Sequence, residues 1–373
     1  MIGPDERREL IRQKVMEGLQ ESFPIQSRNK TIEVDDLQVT GKDYSPSAQK
    51  KAILTGDSLF ESVKGTVRMK DKDGKVIDEM KNFTLVRVPY FTPRHTFIIG
   101  GNEHSMSNMV RRKPGVYSRK RANGILEAGF NTLGGSNFKI SMDPAKGQPQ
   151  LEYYSTKIPL YPILRRSGMS HDQIAKSWGS KLADANAKAL EKKGDKYVDK
   201  LYKKEVPSYA RDDSKSAIEK MREIAERYRN AKMDPEVNLQ TIGKPHAYVS
   251  PDSLLDASSK VLKIFNNQAE VDDQDNLGFK TILSVDDFFK ERIKLHAREV
   301  AKKAAIKMES TPNLKKAMPS GPFTKDLLKF ISSTTLPSIP DQTNPVDLID
   351  SAMLETSPGD GGTSPDRAIP IDA

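Results

Sequence analysis

The sequence contains no cysteine, which excludes disulfides, thiolate-held zinc and thiol nucleophiles. Its five histidines, His95, His104, His171, His246 and His296, lie far apart without ligand spacing, so no metal site is expected in this chain. No apolar run approaches the roughly 20 residues of a membrane-crossing helix. The acidic start, Pro4-Asp5-Glu6, is unlike a secretory leader, and the chain is read as soluble and cytoplasmic. Nucleophile–base pairs and phosphate loops of recognisable spacing are missing too; Gly100-Gly101 and Gly134-Gly135 do not make one. No catalytic residue is therefore assigned.

What is present is charge. Lys and Arg number 60 against 51 Asp and Glu, a formal balance of +9 that favours an anionic partner without identifying it. At 373 residues the chain can bury a sizeable core and is expected to split into two or three domains.

Residues 5 to 22 carry Leu10, Ile11, Val15 and Leu19 at helical spacing and are stopped by Pro24, which predicts a packing helix. From Gly65 to Val88 the alternation predicts strands joined by a turn at Asp73-Gly74. Reading that turn as a calcium loop would put Met69 and Met80 at ligand positions, so calcium is not expected. Gly134 to Asp143 and Leu151 to Leu164 read as strand-like, and Ser170 with Gln173 signals a capped helix start. Residues 181 to 232 read as charged helices broken by Pro207. Their apolar stripes are Leu182, Ala185, Ala189, Leu190, Val198 and Leu201, then Ile218, Met221, Ile224, Ala225 and Tyr228. Further helices are expected near Leu254 to Phe265 and Phe288 to Met308, with Asp272, Asp273 and Asp275 in a solvated turn between them. From Leu336 onward, Pro and Gly density predicts a loop-rich segment ordered by partner surfaces.

The most informative stretch is Phe97 to Tyr117 with Arg119, Lys120 and Arg121 beyond it. Six cations, Arg111, Arg112, Lys113, Arg119, Lys120 and Arg121, fall within eleven residues. Gly100-Gly101 is expected to turn the chain after a buried strand and Pro114-Gly115 to reverse it again, presenting the cations on one edge. Such an edge suits a polyanion, although basic runs are more often solvated faces.

FIIGGNE (residues 97–103), the eleven-residue step from Glu103 to Pro114-Gly115-Val116-Tyr117, and Arg112 two before that proline resemble the protrusion of the β, or second-largest, subunit of multisubunit RNA polymerases. Residues 156–174 resemble the segment where a strand enters that family's lobe domain. EVDDQDNLG (residues 270–278), followed by Lys280, Ser284-Val285 and a long helix, resembles the return from lobe to protrusion. Residues 321–331, then Asp341, Gln342, Asn344, Pro345, Gly359, Gly361, Gly362, Arg367 and Ala368, resemble the approach to the fork and the fork itself. The match is collinear over about residues 60–175 and 254–373.

The resemblance implies a multidomain α+β fold: a mixed sheet-and-helix protrusion (1–135 and 276–318), an inserted helix-rich lobe (136–275) and a loop-rich start of the fork (319–373). It implies one jaw of a DNA cleft, with DNA contacts from Arg111, Arg112, Lys113, Arg119, Lys120, Arg121, Arg165, Asp275 and Lys280, and cleft-lining fork residues Asp341, Gln342, Asn344, Pro345 and Arg367. Arg112 and Asp275 match the pair that helps form a pocket for an unpaired non-template base, and such a pair is chemically suited to it. Lys280 stands where bacterial β has Arg, and Asn137 where it has a stacking Trp. The implied partners are a C-terminal β-like chain or segment, β′-like subunits, a sigma-like initiation factor, the DNA template and the RNA product. Magnesium is expected through a β′-like partner and no cofactor in this chain, which alone is expected to be non-catalytic. The chain is expected to be the N-terminal piece of a naturally split β, as in some large bacteriophages, or a truncated one.

Departures from the family bear on drug binding. His104 replaces Arg, Met109 replaces Gln, Ser351 replaces His, Met353 and Leu354 replace an Arg pair, Thr356 replaces Ser, and Pro365 replaces Arg, so rifampicin insensitivity is expected. The competing reading is a stand-alone nucleic-acid-binding or regulatory protein built from protrusion-like and lobe-like domains.

Overall fold

The computed structural model describes residues 2–357 except 42, 134–136, 144–146, 154–155, 191–192, 274, 334–335 and 341–343. It divides into two compact units, Met1–Arg111 with Thr281–Ala373, and Arg112–Lys280. The first unit opens with α1 (Pro4–Ser22), β1 (Ile25–Gln26), β2 (Lys30–Thr40), α2 (Pro46–Thr55), β3 (Phe60–Asp71), β4 (Val76–Pro89), β5 (Phe97–Ile99), β6 (Asn102–Met106) and β7 (Asn108–Arg112). The second holds β8 (Gly115–Lys120), β9 (Leu126–Asn131), β10 (Phe138–Asp143), β11 (Gln148–Tyr153) and β12 (Thr156–Pro159). Helices α3 (Leu160–Arg166), α4 (His171–Trp178), α5 (Ser180–Leu190), α6 (Gly194–Glu205), α7 (Ala217–Asn230), α8 (Pro235–Ile242) and α9 (Pro251–Phe265) follow. The chain then returns through β13 (Lys280–Leu283), α10 (Val285–Ser310), α11 (Leu314–Ala317), α12 (Thr324–Ser333), β14 (Pro337–Ser338), α13 (Pro345–Met353) and β15 (Glu355–Thr356).

In the first unit, β1 to β4 form an antiparallel sheet in sequence order, with the tight turn at Asp73-Gly74 between its two long strands. Helix α1 buries Ile11, Val15 and Leu19 and packs on α10. Gly18 permits this approach, because a Cβ there would sit 3.3 Å from the Lys290 carbonyl oxygen. Gly100 and Gly101 join β5 to β6 with φ of 58° and 76°, the double positive φ of a tight hairpin. Gly101 is further constrained, since a Cβ would meet Gly56 Cα at 2.8 Å. Glu103 is buried and accepts a 2.6 Å hydrogen bond from the Thr96 hydroxyl, which in turn meets Thr92. This carboxylate holds the Thr92–Thr96 turn.

The second unit is a five-stranded antiparallel sheet, order β12-β11-β10-β9-β8, with helices covering its apolar face. Alternate residues point inward: Leu126, Ala128 and Phe130 on β9, and Phe138, Ile140 and Met142 on β10. Phe138 stacks between Phe130 and Tyr153 at centroid distances of 4.6 and 5.2 Å. The single tryptophan, Trp178, is buried with its indole N–H donating to Ser258 at 2.8 Å.

Several sequence expectations need correction. Residues 160–164 are helical, not extended, because Pro159 caps α3 and Pro162 sits in its first turn, where an amide hydrogen has no intrahelical partner. Helix α5 turns Ala183 and Asn186 inward and leaves Ala185 and Ala189 exposed, and Ile218 on α7 is exposed as well. Pro114-Gly115 does not reverse β7 onto β8, because the two strands belong to different sheets. Residues 336–357, where described, are ordered within the first unit: β14 pairs with β6, β15 runs parallel to β7, and α13 lies between.

Candidate nucleic-acid interface

The basic stretch is divided by the fold. Arg111 belongs to the first unit, where it pairs with Glu291 at 2.6 Å and lies over the Phe288 ring. Arg119 and Arg121 both hold the buried carboxylate Glu127, which Lys139 approaches at 3.3 Å. The cause is register: Arg119 stands directly opposite Glu127 on the β8–β9 ladder. Burial pushes the Glu127 carboxyl up, but the hydrogen bonds from Arg119 and Arg121 outweigh it and leave it below its usual range. Arg121 also reaches Glu152 at 3.1 Å. These two arginines are thus tied down in place, and with Lys139 and Lys157 they leave the Glu127–Glu152 cluster net positive.

Arg112, Lys113 and Lys120 make no ion pair with a described carboxylate, and Arg112 and Lys120 are exposed. Arg112 is steered by Tyr117, its guanidinium carbon 5.1 Å from the ring centroid. Tyr117 in turn meets Phe279 edge to face at 5.5 Å and donates from its hydroxyl to the Lys113 carbonyl at 2.9 Å. Burial holds the Tyr117 hydroxyl well above its ordinary range, so the ring stays neutral beneath the cation. The Lys113 amide donates to the Phe279 carbonyl at 2.7 Å, tying the two segments together. Next to Phe279, Lys280 lies 3.6 Å from Asp275, whose side chain is 95% exposed. One surface therefore carries Arg112, Lys113, Asp275 and Lys280, gathered around Tyr117 and Phe279.

Buried polar groups hold this surface. Gly115 has no room for a side chain, as a Cβ would lie 2.5 Å from Val237 Cγ1. Asn238, fully buried, accepts from the Val116 amide at 2.9 Å and donates to the His246 carbonyl at 2.6 Å. His246 is itself held by Asp256 at 2.8 Å. Asp272 accepts from Ser118 and pairs with Lys260 at 3.6 Å. Of these, the sequence drew attention to Gly115 as part of a turn, to His246 as a histidine without ligand spacing and to Asp272; Asn238 carries no local signal.

The other candidates lie elsewhere. Arg165 lies in the last turn of α3 and donates to the Met169 carbonyl at 2.6 Å. Asn344 caps α13, accepting from the Val346 amide at 3.0 Å, and Pro345 is the first residue of that helix. Asn137 accepts from the Thr132 amide at 2.9 Å. Asp341, Gln342 and Arg367 fall outside the described residues, as do Pro365 and the glycines at 359, 361 and 362. Among the described residues no helix is long and apolar enough to cross a membrane.

No protein-family model matches the chain. Its similarities nonetheless point to one class, the large subunits of multisubunit RNA polymerases. The chain is 24% identical over 366 residues to the DNA-directed RNA polymerase subunit beta of Porphyra purpurea, covering 89% of this chain and 31% of that protein. It is likewise 24% identical over 382 residues to the subunit beta of Syntrophomonas wolfei, covering 94% and 33%. A third relative, from Chlamydomonas reinhardtii, bears the name DNA-directed RNA polymerase subunit beta N-terminal section and is 29% identical over 116 residues, covering 30% and 14%. The chain spans about a third of the length of the β subunits it matches along most of its own length.

Proposed function

We propose that this chain is the N-terminal part of the β subunit of a DNA-directed RNA polymerase. In this reading it comprises the protrusion, the lobe and the start of the fork, and forms one jaw of the DNA cleft. The observation that carries the reading is similarity to β subunits over 89% to 95% of the chain. The charge balance of +9 and the exposed Arg112–Lys113 surface support it physically. Nucleotidyl transfer, and the magnesium it uses, is assigned to β′-like partners together with the remainder of β. A sigma-like factor, DNA and the RNA product complete the assembly. In this chain Lys280 would attract the DNA backbone, while Arg112 and the exposed Asp275 carboxylate would meet the unpaired base, Asp275 accepting N–H groups from its edge. Their exposure in a tight backbone frame suits capture of one base from an unpaired strand.

The assembled enzyme on a premelted DNA bubble provides the test. Arg112→Ala is expected to weaken binding by roughly 1–3 kcal/mol and to blur preference at one non-template position. Asp275→Ala is expected to change that preference with little change in salt slope. Equal weakening on all sequences would reduce Arg112 to a phosphate contact, worth about 0.9 in the slope on duplex DNA. Unchanged binding by both variants would contradict the interface.

A further inference from the structure

Leu133, Lys232 and Tyr248 form a row of two bridge pairs across three segments of the second unit. Leu133 and Lys232 exchange backbone hydrogen bonds at 2.9 and 3.0 Å, and Tyr248 pairs with Lys232 on the other side. Side chains alternate along such paired segments. Ala231, Met233 and Val249 enter the core of the second unit, whereas Leu133, Lys232 and Tyr248 face outward together. Leu133 is 55% and Tyr248 45% exposed. Among the described residues no carboxylate pairs with Lys232, and no group hydrogen-bonds the Tyr248 hydroxyl.

Both flanking segments lead within two residues to the Arg112 surface. Asn131 donates to the carbonyls of Arg112 and Lys113 at 3.3 and 3.1 Å, and the Asp234 amide donates to the Pro114 carbonyl at 3.0 Å. The Asp234 carboxylate is already engaged in capping α8, where it accepts from the Glu236 and Val237 amides.

An exposed aromatic ring beside a cation, continuous with further cations, has the makeup of a stacking platform for unpaired bases. We infer that Leu133, Lys232 and Tyr248 form a second subsite for single-stranded DNA, with a base stacked on Tyr248 and its phosphate held by Lys232. The strand continues past Arg112 and Lys113. Every base has a π face, so this subsite is tolerant of sequence, unlike the Asp275 position. The inference rests on the proposed nucleic-acid interface and extends it to a residue with no polar readout.

The test titrates the full-length chain with a short single-stranded oligodeoxynucleotide carrying 2-aminopurine, whose fluorescence falls on stacking. Tyr248→Ala is expected to weaken binding roughly five- to a hundred-fold and to abolish the quench. Tyr248→Phe, which keeps the ring, should bind like the parent. Lys232→Ala should lower the salt slope by about 0.7 while leaving the quench. Tyr248→Phe keeps the half-covered ring, so comparing its melting temperature with that of Tyr248→Ala separates lost packing from lost stacking. Binding by the parent chain that ignores Tyr248→Ala overturns this subsite and leaves the Arg112 interface standing. If the parent chain binds no single strand at all, this subsite falls, while the Arg112 interface is judged separately in the assembled enzyme.

Discussion

Asp272 accepts two hydrogen bonds from one residue, the amide and the hydroxyl of Ser118, each at 2.6 Å. Its own amide returns a bond to the Ser118 hydroxyl at 3.2 Å, and Lys260 approaches its other carboxylate oxygen. The segment after α9 is thereby fastened to the edge strand β8, whose free backbone groups would otherwise lie open. The exposed Asp275 and the following Lys280 sit within eight residues of this fastening, so their position depends on it.

Asp272→Ala leaves the Ser118 amide and Lys260 without that partner. We expect a loss of about 1–3 kcal/mol in stability, since an orphaned buried donor carries its full desolvation cost. Amide exchange should accelerate selectively at Ser118 and from 272 to 280. Wild-type protection at these amides would show that the strand edge is held by other groups.

Gly115→Ala tests the close approach of β8 and α8. The added methyl meets Val237 Cγ1 at 2.5 Å, and overpacking of this kind typically costs about 1–3 kcal/mol. Val237→Ala alone should also destabilise, but the two together should cost less than their sum. Strict additivity in thermal unfolding would mean that the methyl and Val237 do not collide.

Local signals in the sequence carried most helices and tight turns. Ser170 with Gln173 forms the capping box it implies, Gly100-Gly101 and Asp73-Gly74 are turns, and α1 and α10 fall where apolar spacing puts them. Cross-strand register was not legible. Glu127 lies eight residues after Arg119, and nothing local announces that it would face that cation and hold both it and Arg121. The hydrophobic run at 160–164 reads as a strand until its two prolines are placed at a helix start. Pro114-Gly115 has the composition of a turn, but its glycine serves a contact with Val237, a residue more than a hundred positions away. Tyr117 was visible within the family-like run, whereas Asn238 and Tyr248 acquire meaning only from packing and burial.

Glu21 on α1 provides a pH test. Burial raises its carboxyl pKa, but hydrogen bonds from Lys290 and Lys294 on α10 outweigh this and bring it to about 2, from an ordinary 4.5. Because the folded value is depressed, the pair's contribution is fully present above about pH 4.5 and is lost as pH falls towards 2. Partial exposure of Glu21, Lys290 and Lys294 makes the effect smaller than the shift alone implies. Glu21→Gln should therefore flatten the fall in thermal stability across that window, with little change at neutral pH beyond loss of the pair. An unaltered acid limb would contradict the assignment.

If the chain is part of a β subunit, rifampicin insensitivity is expected from the side chains near α13. Ser351 is turned to Ser105 and to the Leu348 carbonyl, at 3.1 and 2.9 Å, while Met353 and Leu354 offer no polar donors. RNA synthesis by the reconstituted enzyme should continue at drug levels that stop a bacterial polymerase. Arrest at those levels would show that other groups supply the contacts.

The central claim is that this chain works as part of a β subunit. The most direct measurement is to purify the tagged natural protein from its cell of origin, identify its partners by mass spectrometry, and ask whether the eluate extends RNA on a DNA template. The account predicts β′-like polypeptides and the remainder of β in amounts equal to this chain, with template-dependent RNA synthesis in the same fraction. Recovery of the chain alone, bound only to nucleic acid and without synthesis, would contradict it and favour a free-standing DNA-binding protein.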